Sequence, residues 1–358
     1  MTGVYISYPF CSQKCTYCNF ASGVFSRELE AQYVDALVRE IKQHFWSAVD
    51  TLYLGGGTPS QMSEVDLEQV LSAVPSRPWV EATMEAAPGS ITSPRVQNWR
   101  RLGINRVSLG VQSFVAGELA RTGRRHTAAI VEADVSLLRD LGIDNINIDL
   151  IAGLPGQTAE SWLESLRWIE RLKPPHVSVY MLEVDQDSRL GSEVLLNGQR
   201  YGARNVPSDE QIVAMYEQAV SALANLGIHR YEISNFARPG WESRHNLKYW
   251  RLDPYIGFGA DAHSFDGQWR WQNVESPQEY SQSLSPQVER TLAKPEEERF
   301  FVGLRLSQGV KLAAEEWKTL AEPIQQFIQQ GLLEKDGGLL RLTSQGILLS
   351  NEVFAEFI

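Results

Sequence analysis

Three cysteines within eight residues constrain this chain more than anything else in it. Cys11, Cys15 and Cys18 stand in Pro9-Phe10-Cys11-Ser12-Gln13-Lys14-Cys15-Thr16-Tyr17-Cys18-Asn19-Phe20, and no cysteine follows in the rest of the 358 residues. Disulfide frameworks pair an even number of cysteines in short secreted domains, which this is not. A closed structural zinc site wants four protein ligands, and the next histidine along the chain, His44, falls in a helical pattern. Inert buried thiols have no reason to crowd onto one loop. Soft anionic ligands spaced C-x3-C-x2-C suit a [4Fe-4S] cube, with three thiolates on three irons and the fourth iron open to a small molecule. S-adenosylmethionine, through its amino and carboxylate groups, is the candidate for that open position.

Apolar runs alternate with amphipathic stretches over residues 3–183. The strands expected are Val4–Tyr8, Thr51–Leu54, Val80–Ala86, Arg106–Val111, Asn145–Ile151 and Val177–Leu182. Between them lie helical patterns over Glu28–Ala48, Val65–Ala73, Thr127–Leu141 and Ala159–Arg171. Such repetition builds a parallel sheet with helices outside it, and six units leave an eight-stranded barrel incomplete. The expected fold is α/β, an open three-quarter (β/α)6 barrel over 1–183 with its chemistry at the C-terminal ends of the strands. Residues 184–286 are expected to hold a polar linker or flap, a helix Ser208–Leu226, a strand His229–Ser234 and a second linker, Val274–Pro286. Residues 287–358 read as a winged-helix-like domain, with helices Glu297–Leu306, Ala313–Leu320 and Pro323–Gln330 and a wing over Leu332–Leu342. Its last 63 residues carry ten acidic against six basic side chains, the wrong balance for phosphate contacts.

Several strand ends carry chemistry. Gly55-Gly56-Gly57-Thr58-Pro59 follows the second strand, where glycines admit close backbone approach to a ligand. Gln112 can both donate and accept after the fourth strand. Asp149 interrupts an apolar strand and needs a partner, a ribose hydroxyl or Arg124. Met181–Glu183 ends the sixth strand and can line an adenosine by its backbone, and Tyr17 is placed to lie against the adenine. Glu85 on its own reads as a solvated strand-end carboxylate. Arg125 reads as a surface charge and His126 as a helix cap. Further on, His245-Asn246-Leu247-Lys248-Tyr249-Trp250 and Tyr255–Ser264 gather imidazoles, aromatic rings and glycines, a kit suited to a flat macrocycle. A lone histidine in such a place is otherwise hydrogen-bonded inside an interface.

Tyr5-Ile6-Ser7-Tyr8-Pro9-Phe10-Cys11 with C-x3-C-x2-C resembles the cluster loop of radical S-adenosylmethionine enzymes, in particular the group of oxygen-independent coproporphyrinogen III oxidases and HemW haem chaperones. Ser7 and Tyr8 depart from the usual His and Ile, Phe20 stands where the oxidases carry a further cysteine, and the E-x-N-P motif reads Glu85-Ala86-Ala87-Pro88. The resemblance implies that Cys11, Cys15 and Cys18 hold the cluster. It implies that Tyr5, Tyr17, Gly56, Gly57, Thr58, Glu85, Gln112, Arg124 and Asp149 serve S-adenosylmethionine. It also implies that His245, in an intact H-N-x-x-Y-W motif, binds haem, with His263 as second candidate.

Two functions share that core. One is a haem chaperone that passes haem to acceptor proteins, respiratory ones among them. The other is the oxidase, decarboxylating coproporphyrinogen III through a 5′-deoxyadenosyl radical. Phe20, the intact His245 motif and a cluster loop starting at residue 11, with no arm before it, favour the chaperone. A net charge of −11 argues against a broad nucleic-acid face. No run of 18 apolar residues predicts a membrane span and no signal-peptide pattern precedes Val4, so the expected compartment is the reducing cytoplasm. The sequence does not fix an oligomeric state.

Overall fold

A computed structural model describes residues 1–357. Six parallel strands, β1 Thr2–Tyr8, β2 Val49–Gly56, β3 Glu81–Ala86, β4 Arg106–Gln112, β5 Asn145–Ala152 and β6 His176–Met181, lie side by side in chain order. Helices α1 Arg27–Gln43, α2 Glu64–Ala73, α3 Ser93–Arg101, α4 Ala116–Arg121, α5 Ala128–Asp140 and α6 Ala159–Leu172 connect them. Ser26, Ser63, Thr127 and Thr158 each cap a helix by accepting a bond from its first turn, so the strand–helix boundaries are written locally. The open (β/α)6 barrel expected from the sequence is present.

The strands alternate in character. Val4, Ile6, Leu52, Leu54, Ala82, Met84, Val107, Leu109, Ile146, Ile148, Val177 and Val179 are buried in the apolar core. The intervening residues are polar: Tyr5, Tyr53, Thr83, Glu85, Arg106, Ser108, Asn147, Asp149 and Ser178. Because side chains alternate faces along a strand, these share the other face and line a polar lumen.

The region after β6 is less separate than its polarity suggests. Short α7 (Arg189–Leu195) lies over the cysteine loop, with Leu190 N–H bonded to Thr16 O at 2.8 Å and Asn19 Nδ2 to Asp185 Oδ2 at 3.0 Å. Ser208 caps α8 (Asp209–Asn225) in a capping box with Gln211. The expected strand His229–Ser234 shortens to β7 (His229–Arg230). Glu232 accepts from Ser234 N–H and Asn235 Nδ2, folding the chain back into β8 (Asn235–Ala237), antiparallel to β6.

Helix α9 (Arg244–Arg251) is followed by β9 (Tyr255–Phe258), β10 (His263–Phe265) and β11 (Trp269–Asn273). The expected linker Val274–Pro286 instead holds α10 (Pro277–Gln282), capped by Ser276. Its Tyr280 is buried on α1 against Tyr33, with ring centroids 4.8 Å apart. Strand β12 (Gln287–Leu292) pairs with β11, so it belongs to the barrel's sheet and not to the C-terminal part. One twelve-stranded sheet runs β12-β11-β10-β9-β1-β2-β3-β4-β5-β6-β8-β7. Segment 184–286 thus extends both edges of the barrel.

Beyond it, helices Pro295–Gly303, Ala314–Thr319 and Ala321–Gln329 precede a hairpin of Leu333–Asp336 and Leu339–Leu342, with Val310–Lys311 as third strand. Two further short helices, Ser344–Leu348 and Ser350–Ala355, have no counterpart in the sequence reading.

Candidate functional site: a cysteine loop at the mouth and a plugged floor

β1 delivers the cysteine loop to the C-terminal ends of the strands. Cys11, Cys15 and Cys18 are free thiols, all half-buried. The loop is held at its base by Cys11 N–H on Gly23 O (2.8 Å) and Thr16 N–H on Thr122 O (3.2 Å). Burial pushes the Cys11 thiol up, and Thr58 Oγ1 donates toward its sulfur at 3.7 Å. Among the described residues no three His, Cys, Asp or Glu side chains converge as they would on a single ion. A cube spreads its thiolates over different irons, so three soft donors on one loop fit it without such convergence.

The glycine run works mainly on that loop. Gly57 N–H bonds Tyr8 O (2.8 Å) and Thr58 N–H bonds Phe10 O (2.9 Å). A Cβ on Gly57 would lie 2.6–2.8 Å from the backbone of Phe10 and Pro9, and Gly56 sits at φ +102°. Gly57→Ala is therefore expected to displace the loop and cut iron loading several-fold, read as iron per chain after anoxic reconstitution. Wild-type loading would show that the backbone gives way.

Glu85 points into the lumen and accepts from Tyr53 Oη at 2.8 Å; burial pushes its carboxyl up to about 7. It is not the solvated strand-end group its position suggests. Asp149 finds its partners in Asn147 Nδ2 (2.7 Å) and Ser108 Oγ (3.2 Å), not in Arg124. Arg124 instead donates from Nε to Tyr17 Oη (3.0 Å) and from Nη1 to Gly110 O (2.6 Å), tying the cysteine loop to β4. His126 is buried on Val111 O at 3.1 Å, where burial and Arg124 push it down to about 4. Gln112 has left-handed backbone (φ +69°), and its buried Oε1 has no partner. A strained residue with an orphaned acceptor at the mouth is what a donor-bearing ligand would complete, so these residues fit S-adenosylmethionine.

His245 lies elsewhere. Its ring nitrogens meet Thr51 Oγ1 (3.0 Å) and Tyr249 Oη (2.8 Å), and none of it is exposed. Its N–H, the Arg244 N–H and Ser243 Oγ all bond the buried Glu81 carboxylate, at 2.9, 3.0 and 3.1 Å. Lys248 pairs with Asp50 at 3.0 Å. Asp50, Thr51 and Glu81 belong to the starts of β2 and β3, so α9 plugs the floor of the barrel, the end opposite the cysteines. Burial, then Lys248 and Arg106, push His245 down to about 3, keeping the ring neutral. His245 as found does not fit a haem ligand, since the ring is wholly buried and iron would have to displace Thr51 or Tyr249 from one of its nitrogens and open the floor to reach it. His263 is exposed, next to the loop that joins β9 to β10 at the mouth end.

Sequence reasoning missed Tyr53, Glu81, Arg106 and Ser108. Their signal was the every-second-residue polar pattern in strands that otherwise read as apolar.

Residues 5–169 match the Radical SAM superfamily model, and residues 294–349 match the HemN C-terminal domain. The heme chaperone HemW of Lactococcus lactis subsp. lactis (strain IL1403) is 35% identical over 99% of this chain and 96% of its own length. The chain belongs to the HemW family of radical S-adenosylmethionine proteins. HemW of Bacillus subtilis (strain 168) is 34% identical over 100% of this chain and 99% of its own length. The coproporphyrinogen III oxidase (HemN) of Escherichia coli superposes with a TM-score of 0.86 at 22% identity, covering 99% of this chain and 89% of its own, a likeness of fold. No helix among the described residues is long and apolar enough to cross a membrane.

Proposed function

We propose that this chain is a haem chaperone that binds a [4Fe-4S] cluster through Cys11, Cys15 and Cys18 and S-adenosylmethionine across the mouth. It would pass haem to acceptor proteins in the cytoplasm. The observation that carries the reading is the likeness to HemW proteins along their whole length.

A bound cluster supplies one-electron reduction. The chain's own residues do the holding: Arg124 braces Tyr17 against β4, and Gln112, Glu85 and Asp149 offer acceptors for an ammonium and for ribose hydroxyls. Phe20, where the oxidases carry a further cysteine, is 65% exposed and offers a macrocycle an apolar edge but no ligand. Of the two candidate histidines, a macrocycle can reach His263, and that residue is taken as the iron ligand.

The test is one anoxically reconstituted sample, titrated with haem and then given coproporphyrinogen III. A Soret shift in the wild type, lost in His263→Ala, and no decarboxylated product by mass spectrometry are expected. Sustained decarboxylation would overturn the chaperone reading in favour of the oxidase. A Soret shift that survives His263→Ala would remove that residue as ligand.

A further inference from the structure

Arg106 opens β4 on the lumen face shared with Ser108 and Gly110, and it is 1% exposed. Its Nη1 reaches Thr83 Oγ1 only at 3.5 Å, and its Nε has no partner. Among the described residues it forms no ion pair. A guanidinium stays charged when buried, and an unpaired one is costly unless its field acts on something nearby. Toward the mouth on the same face lie two carboxyls, Glu85 beyond Thr83 on β3 and Asp149 beyond Asn147 on β5, while Glu81, on the floor side of Thr83, is taken up by α9. Glu85 and Asp149 are bonded by neutral donors alone.

We propose that Arg106 is a positioning residue for the S-adenosylmethionine site, its buried charge drawing Glu85 and Asp149 toward the ionised form that accepts the ligand's donors. The proposal rests on the ligand reading above and adds a residue to it.

The groups facing Glu85 are Tyr5 from β1, Tyr53 from β2, Asp149 from β5, Tyr180 from β6 and Tyr249 from α9, together with the Gly56 N–H. Burial pushes Tyr5, Tyr53 and Tyr249 up, and Tyr180, 42% exposed, is pushed up as well by its partial burial and by Asp149, so all four remain neutral donors. The charges acting on Glu85 are therefore Asp149, which opposes its ionisation, and Arg106, which favours it. Asp149 is raised by burial and held down by its hydrogen bonds and by Arg106; Arg124 also lies toward it. A carboxyl with a raised folded-state value keeps its proton more tightly folded than unfolded. Stability is thus full below the ordinary 4.5 and is lost as pH rises through about 7. Removing Arg106 enlarges that loss.

Melting of the ligand-free full chain at pH 5 and pH 8 tests this without any cofactor. Arg106→Gln is expected to match or exceed the wild type at pH 5, where Glu85 is protonated, and to melt roughly 2–4 °C lower at pH 8. Arg106→Lys, which keeps the charge, should recover most of the difference. Equal deficits at both pH values mean a packing role and overturn the proposal, as does a charge-keeping variant that rescues nothing. In calorimetric titration of the cluster-loaded protein with S-adenosylmethionine, the pH at which affinity falls should move up by about one unit in Arg106→Gln. An unmoved midpoint also overturns the proposal. A wild type that binds no S-adenosylmethionine at any pH overturns the ligand reading, and the stability curves then separately decide the action of Arg106 on the carboxyls.

Discussion

Cys15→Ser protein, reconstituted under anoxia, is expected to lose its cluster, with iron falling from about four per chain to near zero. A serine hydroxyl is harder and far more reluctant to ionise than a thiol, so two thiolates would remain to hold the cube. The effect should be local. Cys15 is half-buried on a loop whose anchors are backbone bonds, from Cys11 to Gly23, Thr16 to Thr122 and Leu190 to Thr16, and none of these involves the thiol. The melting temperature of the metal-free variant should therefore stay within a degree or two of the metal-free wild type. Iron and sulfide analysis with the visible spectrum reads the first part, and calorimetry the second. A Cys15→Ser protein with full iron content would remove the cluster assignment. One that fails to melt cooperatively would mean that the thiol is structural.

The cysteine loop and the barrel were legible because both are written in short-range pattern. C-x3-C-x2-C needs no tertiary information, and the apolar strands recur between helices whose Ser and Thr caps stand in the sequence. The floor was not legible for the opposite reason. Glu81 and His245 are 164 residues apart and each looks ordinary alone, a strand-start carboxylate and a motif histidine. Only the folded sheet, with α9 packed across its base, brings them together. Asp149 shows the same limit within the site. The need for a partner followed from burial, but the partner is Asn147, two residues away on the same face, and not the distant Arg124. Segment 274–286 misled because a six-residue helix is too short to show a period. What fixes it is the burial of Tyr280 against Tyr33 and the bond from its hydroxyl to Glu40 (2.5 Å).

The floor makes a prediction as large as the cluster does, and of the opposite kind. Glu81→Ala strips three donors of their acceptor at once, two of them fully buried: Ser243 Oγ and the His245 N–H, with the part-buried N–H of Arg244. Bonds to a charged acceptor, and the cost of leaving their donors unpaired in the interior, put the loss on the order of 3–5 kcal/mol. A fall in melting temperature of roughly 4–7 °C should follow. Glu81→Gln keeps one acceptor oxygen and should cost about half as much. His245→Ala removes a ring bonded at both nitrogens to Thr51 and Tyr249 and leaves a cavity under β1 and β2, so it should destabilise by a similar amount. Because α9 sits at the end of the barrel away from the cysteines, iron loading of whatever remains folded should be unchanged in all three variants. Differential scanning calorimetry beside iron analysis reads both quantities. A His245→Ala protein that melts like the wild type and yet loses its haem Soret shift would turn this residue from the keystone of the floor back into an iron ligand. Haem binding would then have to open the base of the barrel.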